Sequence, residues 1–258
     1  MQFSVMSYNI RRYGDEDFPE HHWDQRKTYV RDLICKHLPD ILCTQEDHPV
    51  QLDFILEKLP HYARYGFYNE DMNGSVHGEE NAIIFNTKKF TLLEKGHFWL
   101  TDTPQVPSKL PSQSRHFRTA TYIKLQTTDG QKIFVCNTHF DHFSQDVQKE
   151  EAKILANYLE TIKKNNHYIM CGDLNVNEDA SPHIAQLATC FVRIHPKTDQ
   201  ETTYQSWIEM GGERCTDFIF SDLSVHSTLI DRSGYKMTNE TMTFASDHFP
   251  IVAVLTTK

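Results

Sequence analysis

Polar residues with acid, base or metal-binding side chains stand at the edges of apolar runs at six places along the chain. Asn9 follows the run from Phe3 to Tyr8, Glu46 follows Ile41-Leu42-Cys43, and His139 follows Ile133 to Thr138. Asp173, with Asn175, follows Tyr168 to Cys171; Asp217 opens Phe218-Ile219-Phe220; Asp247-His248 stands before Phe249 to Leu255. Any one of these has an ordinary account, because Asp and Asn end strands and build turns. Six together are harder to assign to turns, since strand ends can converge on one rim of a sheet.

Their chemistry is coherent. Carboxylate oxygens from Glu and Asp suit Mg²⁺ or Mn²⁺, with water and a substrate phosphate completing the shell. Such a cation beside His and Asp polarises phosphoryl oxygens, lowers the pKa of a water and leaves a group free to protonate the leaving oxygen. Other chemistries lack their signatures. The cysteines are not spaced as a zinc thiolate site, and there is no H-E-x-x-H, no G-x-S-x-G and no G-x-x-x-x-G-K-[ST].

The elements that must carry these residues are readable in outline. Residues 2–10 alternate as a strand, and a helix is expected from Asp24 to Leu38, stopped by Pro39. Strands are expected at 40–43 and 82–85, with a short helix from Val50 to Leu59 between them. Thr128-Asp129-Gly130 joins strands at 120–125 and 132–138 as a hairpin. Residues 145–163 form the clearest amphipathic helix, with Ala152, Leu155, Ala156, Leu159 and Ile162 on one face. Strands at 168–171, 218–220 and 249–255 follow, and Ser181-Pro182 reads as an N-cap opening a short helix. This mixed order disfavours a barrel or a doubly wound sheet. It suits an α/β (α+β) four-layer sandwich, two mixed β-sheets packed face to face with helices on the outside.

Bulk properties narrow the function. The 258 residues suit one domain, 1–258, with 39% hydrophobic and 24% charged content and a core rich in the 16 Phe and 11 Tyr. No run approaches a membrane span and the N-terminus reads as a strand, so a cytoplasmic protein is expected. The six cysteines form no C-x-x-C and read as buried free thiols. A net charge of −9 disfavours a broad footprint on DNA or RNA and leaves room for a small substrate or a short nucleic-acid end. The sequons at Asn73 and Asn239 matter only in a secreted protein.

The ordered series Ser7-Tyr8-Asn9-Ile10, Thr44-Gln45-Glu46, Asn137-Thr138-His139, Gly172-Asp173-Leu174-Asn175, Asp217-Phe218-Ile219-Phe220 and Ser246-Asp247-His248-Phe249-Pro250 resembles the endonuclease/exonuclease/phosphatase superfamily, the DNase I-like fold. It is similar to a prokaryotic-type branch of metal-dependent phosphohydrolases in which Phe98-Trp99-Leu100 runs into Thr-Pro and Arg118-x-Ala120-Thr121 enters a strand. The resemblance implies roles. Glu46 is the principal metal ligand, Asn9 beside it belongs to the metal site and binds metal-bound water or phosphate, and Asp247 stands near the metal. Asp173 orients or deprotonates the attacking water, and Asn175 holds the phosphate. His139 contacts phosphate or protonates the leaving group; His248 contacts the scissile phosphate or serves as base, oriented by Asp217. Apart from the resemblance, Arg118, ahead of a strand, reads as a phosphate contact through its planar fork or as a surface pair.

Other polar residues carry blander expectations. Asn81 is weighed as a substrate contact, Asp141 and His142 as pocket lining or turn polarity, Glu79 and Glu80 as solvated loop charges, and His21-His22 as binding nothing. The expected function is a Mg²⁺- or Mn²⁺-dependent phosphoesterase cutting a mono- or diester of a small or short phosphate-containing substrate. The runner-up is a nuclease on DNA or RNA ends, and a silent phospho-ligand scaffold is the alternative of another class. An inositol phosphatase is disfavoured, because no Arg closely follows Gly172-Asp173-Leu174-Asn175 and the late Asp lies in Cys215-Thr216-Asp217. A membrane-acting sphingomyelinase has only Phe67-Tyr68 and Phe98-Trp99 as weak apolar loops.

Overall fold

A computed structural model describes residues 1–14, 19–67, 79–112, 117–164, 166–176, 187, 191–194, 202–207, 214–236 and 242–257. The expected N-cap at Ser181-Pro182 and both sequons lie outside the described residues. In chain order the elements are β1 (Gln2–Asn9), α1 (Trp23–His37), β2 (Ile41–Gln45), α2 (Pro49–Leu56), β3 (Tyr62–Tyr65), β4 (Ile83–Asn86), β5 (Phe90–Trp99), β6 (Thr119–Thr127) and β7 (Lys132–His139). They continue with α3 (Gln145–Lys163), β8 (His167–Asp173), β9 (Asp217–Ser221), β10 (Ser224–Ile230), β11 (Tyr235–Lys236), β12 (Met242–Thr243) and β13 (Ile251–Thr256).

Two large mixed sheets result. The first has the order β10-β13-β1-β2-β4-β3 and the second β5-β6-β7-β8-β9. Period-two alternation sends Phe3 and Val5 of β1 toward the second sheet, where Ile123, Val135 and Ile169 meet them. Met6 and Tyr8, one residue out of phase, face Val30 and Ile34 of α1 and Leu52 and Ile55 of α2. On the far side Ala152, Leu155 and Leu159 of α3 cover Phe134, Met170, Phe218 and Phe220. Three apolar seams therefore separate four layers, which is the expected sandwich. Cys43, Cys136, Cys171 and Cys215 are buried free thiols, as expected, and Cys35 is half-buried.

The helices begin and end for local reasons. Leu38 turns left-handed at φ 43°, closing α1 ahead of Pro39, and lies outside the helical stripe at 55% exposed. His48 caps α2 in a reciprocal pair with Gln51, and Pro49 takes the first turn. Ser144 caps α3, whose limits match the expected helix.

Candidate active site

Strand register assembles the site. Neighbours β1 and β2 run parallel with Asn9 opposite Gln45, so Asn9 and Glu46 leave the first sheet side by side. Neighbours β7 and β8 also run parallel, with His139 opposite Asp173, and antiparallel β9 begins with Asp217 opposite Asp173. In β8 a Cβ on Gly172 would lie 2.6 Å from the Thr138 carbonyl oxygen, so only glycine lets the two strands meet at this depth. The C-terminal edges of both sheets thus open on one rim, joined by Ser246-Asp247-His248 ahead of β13. Glu46, Asn175 and Arg11 all have left-handed backbones, at φ 57°, 51° and 61°, and such strain in non-glycine residues clusters at working sites.

Asp173 Oδ2 is the point of convergence. Asn9 Nδ2 donates to it at 3.0 Å and also to Glu46 Oε1 at 3.0 Å. The Nε2 atoms of His139 and His248 each stand 3.6 Å from it. His248 Nδ1 lies 2.8 Å from Asp217 Oδ2, which also accepts from the Thr216 hydroxyl at 3.1 Å. Asn175 Nδ2 donates to the Phe140 carbonyl at 3.0 Å, which fixes its amide orientation, and meets His139 Nε2 at 2.9 Å. His139 Nδ1 faces Glu79 Oε2 at 3.8 Å.

Charge balance separates the carboxylates. Burial raises Glu46, but the Arg11 guanidinium, His139 and the Asn9 amide outweigh it and hold the carboxyl well below its usual range. Burial, with the Asp217 charge adding to it, pushes Asp173 up to about 7 against the pull of His248. Glu79 is likewise pushed up to about 7, by burial and by Glu46. Burial opposes protonation of His248, yet Asp217 and Asp173 raise it well above the ordinary imidazole value. The imidazole is thus a cation that gives one N–H to Asp217 and turns the other toward the opening.

Above this floor lies a chamber of about 420 Å³. Seven of the expected site residues line it: Glu46, Arg118, His139, Asp173, Asn175, Asp247 and His248. The other two, Asn9 and Asp217, stand just behind the wall and hold Glu46 and His248. Residues not expected complete it: Arg11, Arg12, Glu79, Tyr204, Arg214 and Thr216, with His142 also on the wall. Arg11 lies 3.3 Å from Asp247 Oδ2 and 3.8 Å from Glu46 Oε2, and the Arg12 backbone N–H donates to Glu46 Oε2 at 3.1 Å. Both follow Asn9-Ile10 in the chain, so their closeness in sequence was the available signal.

The expectation for Glu79 and Glu80 is corrected. Glu80 is 7% exposed and bridges in antiparallel fashion to Asp47, and Glu79 sits on the chamber wall 3.8 Å from Arg118. The chain here runs back along the site as an irregular strand, which a polar stretch does not reveal. Asn81 donates to the Thr119 carbonyl at 3.2 Å, a structural bond, and the His21 ring stacks on Trp207 at 4.1 Å. His142 meets Arg118 at 3.2 Å, so it belongs to the site.

Ligand atoms of Glu46, His139 and Asp173 lie within 4.8 Å of one another, as do those of Asp173, Asp217 and His248. The second group is arranged around the His248 cation, hydrogen-bonded to Asp217 at 2.8 Å and in ion contact with Asp173 at 3.6 Å. The first contains the ionised Glu46, whose oxygens suit a divalent cation.

A family model described as the endonuclease/exonuclease/phosphatase family matches residues 6–248. Among solved structures, a mannosyl-6-phosphatase of Bacteroides thetaiotaomicron is similar at 28% identity and a TM-score of 0.90, covering 99% of this chain and all of that one. An endonuclease/exonuclease/phosphatase family protein of the same organism gives 27% and 0.89 over 99% and 97% of the two chains. The D. rerio TDP2 structure with a single-strand DNA product gives 17% and 0.73 over 99% of each, a likeness of fold alone. Register, convergent side chains and a match over nearly the whole length agree: the chain belongs to the endonuclease/exonuclease/phosphatase family.

Proposed function

We propose that this chain is a Mg²⁺- or Mn²⁺-dependent phosphoesterase that hydrolyses a small-molecule phosphate monoester. The observation that carries the reading is the convergence of Asn9, His139 and His248 on one oxygen of Asp173, beside ionised Glu46 and beneath a chamber walled by Arg11, Arg12, Arg118 and Arg214. Glu46 and Asp247 would hold the cation, with Asn9 beside them and donating to Glu46. The bound cation supplies positive charge that polarises the phosphoryl group and lowers the pKa of a water.

The protein supplies the rest. Asp173 orients the attacking water and takes its proton as the new P–O bond forms and the ester P–O bond breaks, and the departing alkoxide oxygen takes a proton from solvent water. The His248 N–H, kept cationic and aimed by Asp217, meets a phosphoryl oxygen, and Asn175, Arg118 and His139 face the others. A chamber of about 420 Å³ lies within the range of small-molecule sites. The similar mannosyl-6-phosphatase supports the same reading, while the net charge of −9 weighs against a long nucleic acid.

The test compares p-nitrophenyl phosphate, bis-p-nitrophenyl phosphate, mannose 6-phosphate and a fluorescent oligonucleotide with Mg²⁺, Mn²⁺ or EDTA. Turnover should be metal-dependent and fastest on a monoester. His248→Ala should slow it by about 10²–10⁴-fold with the fold intact. Equal rates for wild type and variant would remove the site assignment. Preferred cleavage of the oligonucleotide, falling steeply with salt, would replace the reading with a nuclease.

A further inference from the structure

Phe143 is the most exposed large apolar side chain among the described residues, at 82%, and it directly follows His142 on the chamber wall. A single exposed apolar residue is ordinary on a protein surface. Here, however, the backbone beneath it is fixed. The Phe140 N–H donates to the Asp173 carbonyl at 2.9 Å, and the Phe140 carbonyl accepts from Asn175 Nδ2 at 3.0 Å. The Asp141 N–H donates to buried Glu151 at 2.8 Å, and Asp141 Oδ1 accepts from the Phe143 N–H at 2.8 Å. Ser144 then caps α3. An apolar residue just before an N-cap ordinarily packs on the fourth residue of the helix. That residue is Gln148, whose amide is turned inward to the carbonyls of Asp141 at 2.7 Å and Asn175 at 3.0 Å. Phe143 is thus left without its usual packing partner and is held out on the rim by a rigid turn.

We propose that Phe143 is a specificity-determining residue, a platform on which the apolar face of a ring in the leaving group stacks. The inference rests on the phosphoesterase reading for the placement of the phosphoryl group on the chamber floor. Attacking and leaving oxygens stand roughly in line across the phosphorus. With water held by Asp173 at the floor, the ester oxygen and the group it carries point toward the opening. Phe143 stands there, next to His142 and its partner Arg118. A phosphoryl group fills only part of a chamber of about 420 Å³, and Tyr204, Arg214 and Thr216 on the remaining wall offer hydrogen bonds to polar edges. No aliphatic side chain lines the chamber among the described residues, and the Tyr204 ring packs beside His248 at 4.9 Å. The exposed apolar surface at the mouth is therefore that of Phe143. A ring with flat apolar faces and a polar edge uses both surfaces, whereas a linear polar chain gains nothing from Phe143. Pyranoses share this chemistry through their C–H faces and aromatic rings through stacking.

The experiment compares wild type, Phe143→Ala and Phe143→Trp with Mg²⁺. Phenyl phosphate and mannose 6-phosphate are the ring-bearing substrates; inorganic phosphate, read as a competitive inhibitor, is the probe without a ring. Thermal melts should coincide, because the side chain is already in solvent. Phe143→Ala should raise KM for a ring-bearing substrate about fivefold, with kcat within about twofold and the inhibition constant of inorganic phosphate unchanged. Phe143→Trp should restore KM. A rise confined to phenyl phosphate assigns an aromatic leaving group, one confined to mannose 6-phosphate a pyranose, and a rise on both a platform for either ring. Unchanged KM for both, or an equal rise in the inhibition constant of inorganic phosphate, overturns the proposal. No turnover of either substrate counts against the phosphoesterase reading instead, and calorimetry then decides the inference. Tighter binding of a ring-bearing phosphate than of inorganic phosphate, by a margin that Phe143→Ala removes, supports it. Any other pattern, absent binding included, overturns it.

Discussion

At the scale of single residues, the pairing of His248 with Asp217 sets both the direction and the charge of the imidazole. The Asp217 carboxylate accepts at 2.8 Å and helps raise the ring's proton affinity against the cost of burial. In Asp217→Asn the partner is isosteric but neutral, so the ring loses the charge that keeps it protonated and its preferred tautomer. Turnover should fall by about 10²-fold or more, as for other acid–base groups deprived of their partner. The alkaline limb of the pH–rate profile should move to lower pH, because an imidazole whose pKa has dropped loses its proton sooner; an unmoved limb would mean that another group sets it. Asp217 and His248 were legible in the sequence because each flanks an apolar strand, a pattern that survives without knowledge of the fold. Tyr204, Arg214 and Glu79 had no such marker. They reach the chamber from irregular segments, where neither period two nor period 3.6 operates.

At the scale of elements, the strands that eluded the sequence pattern are β3, β5 and β10, with the two-residue β11 and β12. Edge strands β5 and β10 carry long exposed stretches, Thr91 to Lys95 and Ser224 to His226, so no buried face repeats every second residue. The outer strand β3 is four residues of uniform half-burial. Helix α3 and the central strands were legible because one face of each is continuously apolar. One tie between elements has a pH signature. Asp231, after β10, pairs with Lys36 at 2.7 Å and His37 at 2.6 Å in the last turn of α1 and accepts from the Ser233 N–H at 2.9 Å. Burial raises its carboxyl, but Lys36, Ser233 and His37 outweigh burial and hold it well below the usual range. A depressed carboxyl stabilises the fold above its unfolded pKa of about 3.9 and loses that contribution as pH falls through the folded value. Asp231→Asn should therefore melt several degrees lower than wild type at pH 7, at about 2–4 °C per kcal/mol, and the gap should narrow below about pH 4. A gap of constant size down to pH 2 would assign the loss to packing.

At the scale of the whole molecule, the site spans a seam between two sheets, so its geometry depends on how those sheets are locked. The seam is apolar except near the rim, where Asn137 of β7 reaches across it. Its Nδ2 donates to the carbonyls of Thr44 at 2.6 Å and Ala82 at 2.9 Å in the opposite sheet, and its Oδ1 accepts from Gln45 Nε2 at 2.7 Å. Apolar packing is tolerant of sliding, whereas three hydrogen bonds in a fully buried position allow one register. That register sets Asn9 and Glu46 of one sheet against His139 and Asp173 of the other. Asn137→Leu keeps the volume but removes three buried hydrogen bonds, although the Ala82 carbonyl keeps the Thr44 N–H and the Gln45 amide keeps the Ser7 hydroxyl, so a loss of about 1–3 kcal/mol is expected. The denaturant midpoint should fall accordingly. Because the sheets can then shift against each other, Mg²⁺ binding measured by calorimetry on the folded variant should also weaken. Full Mg²⁺ affinity in a destabilised Asn137→Leu would show that the apolar seam alone holds the two halves of the site together.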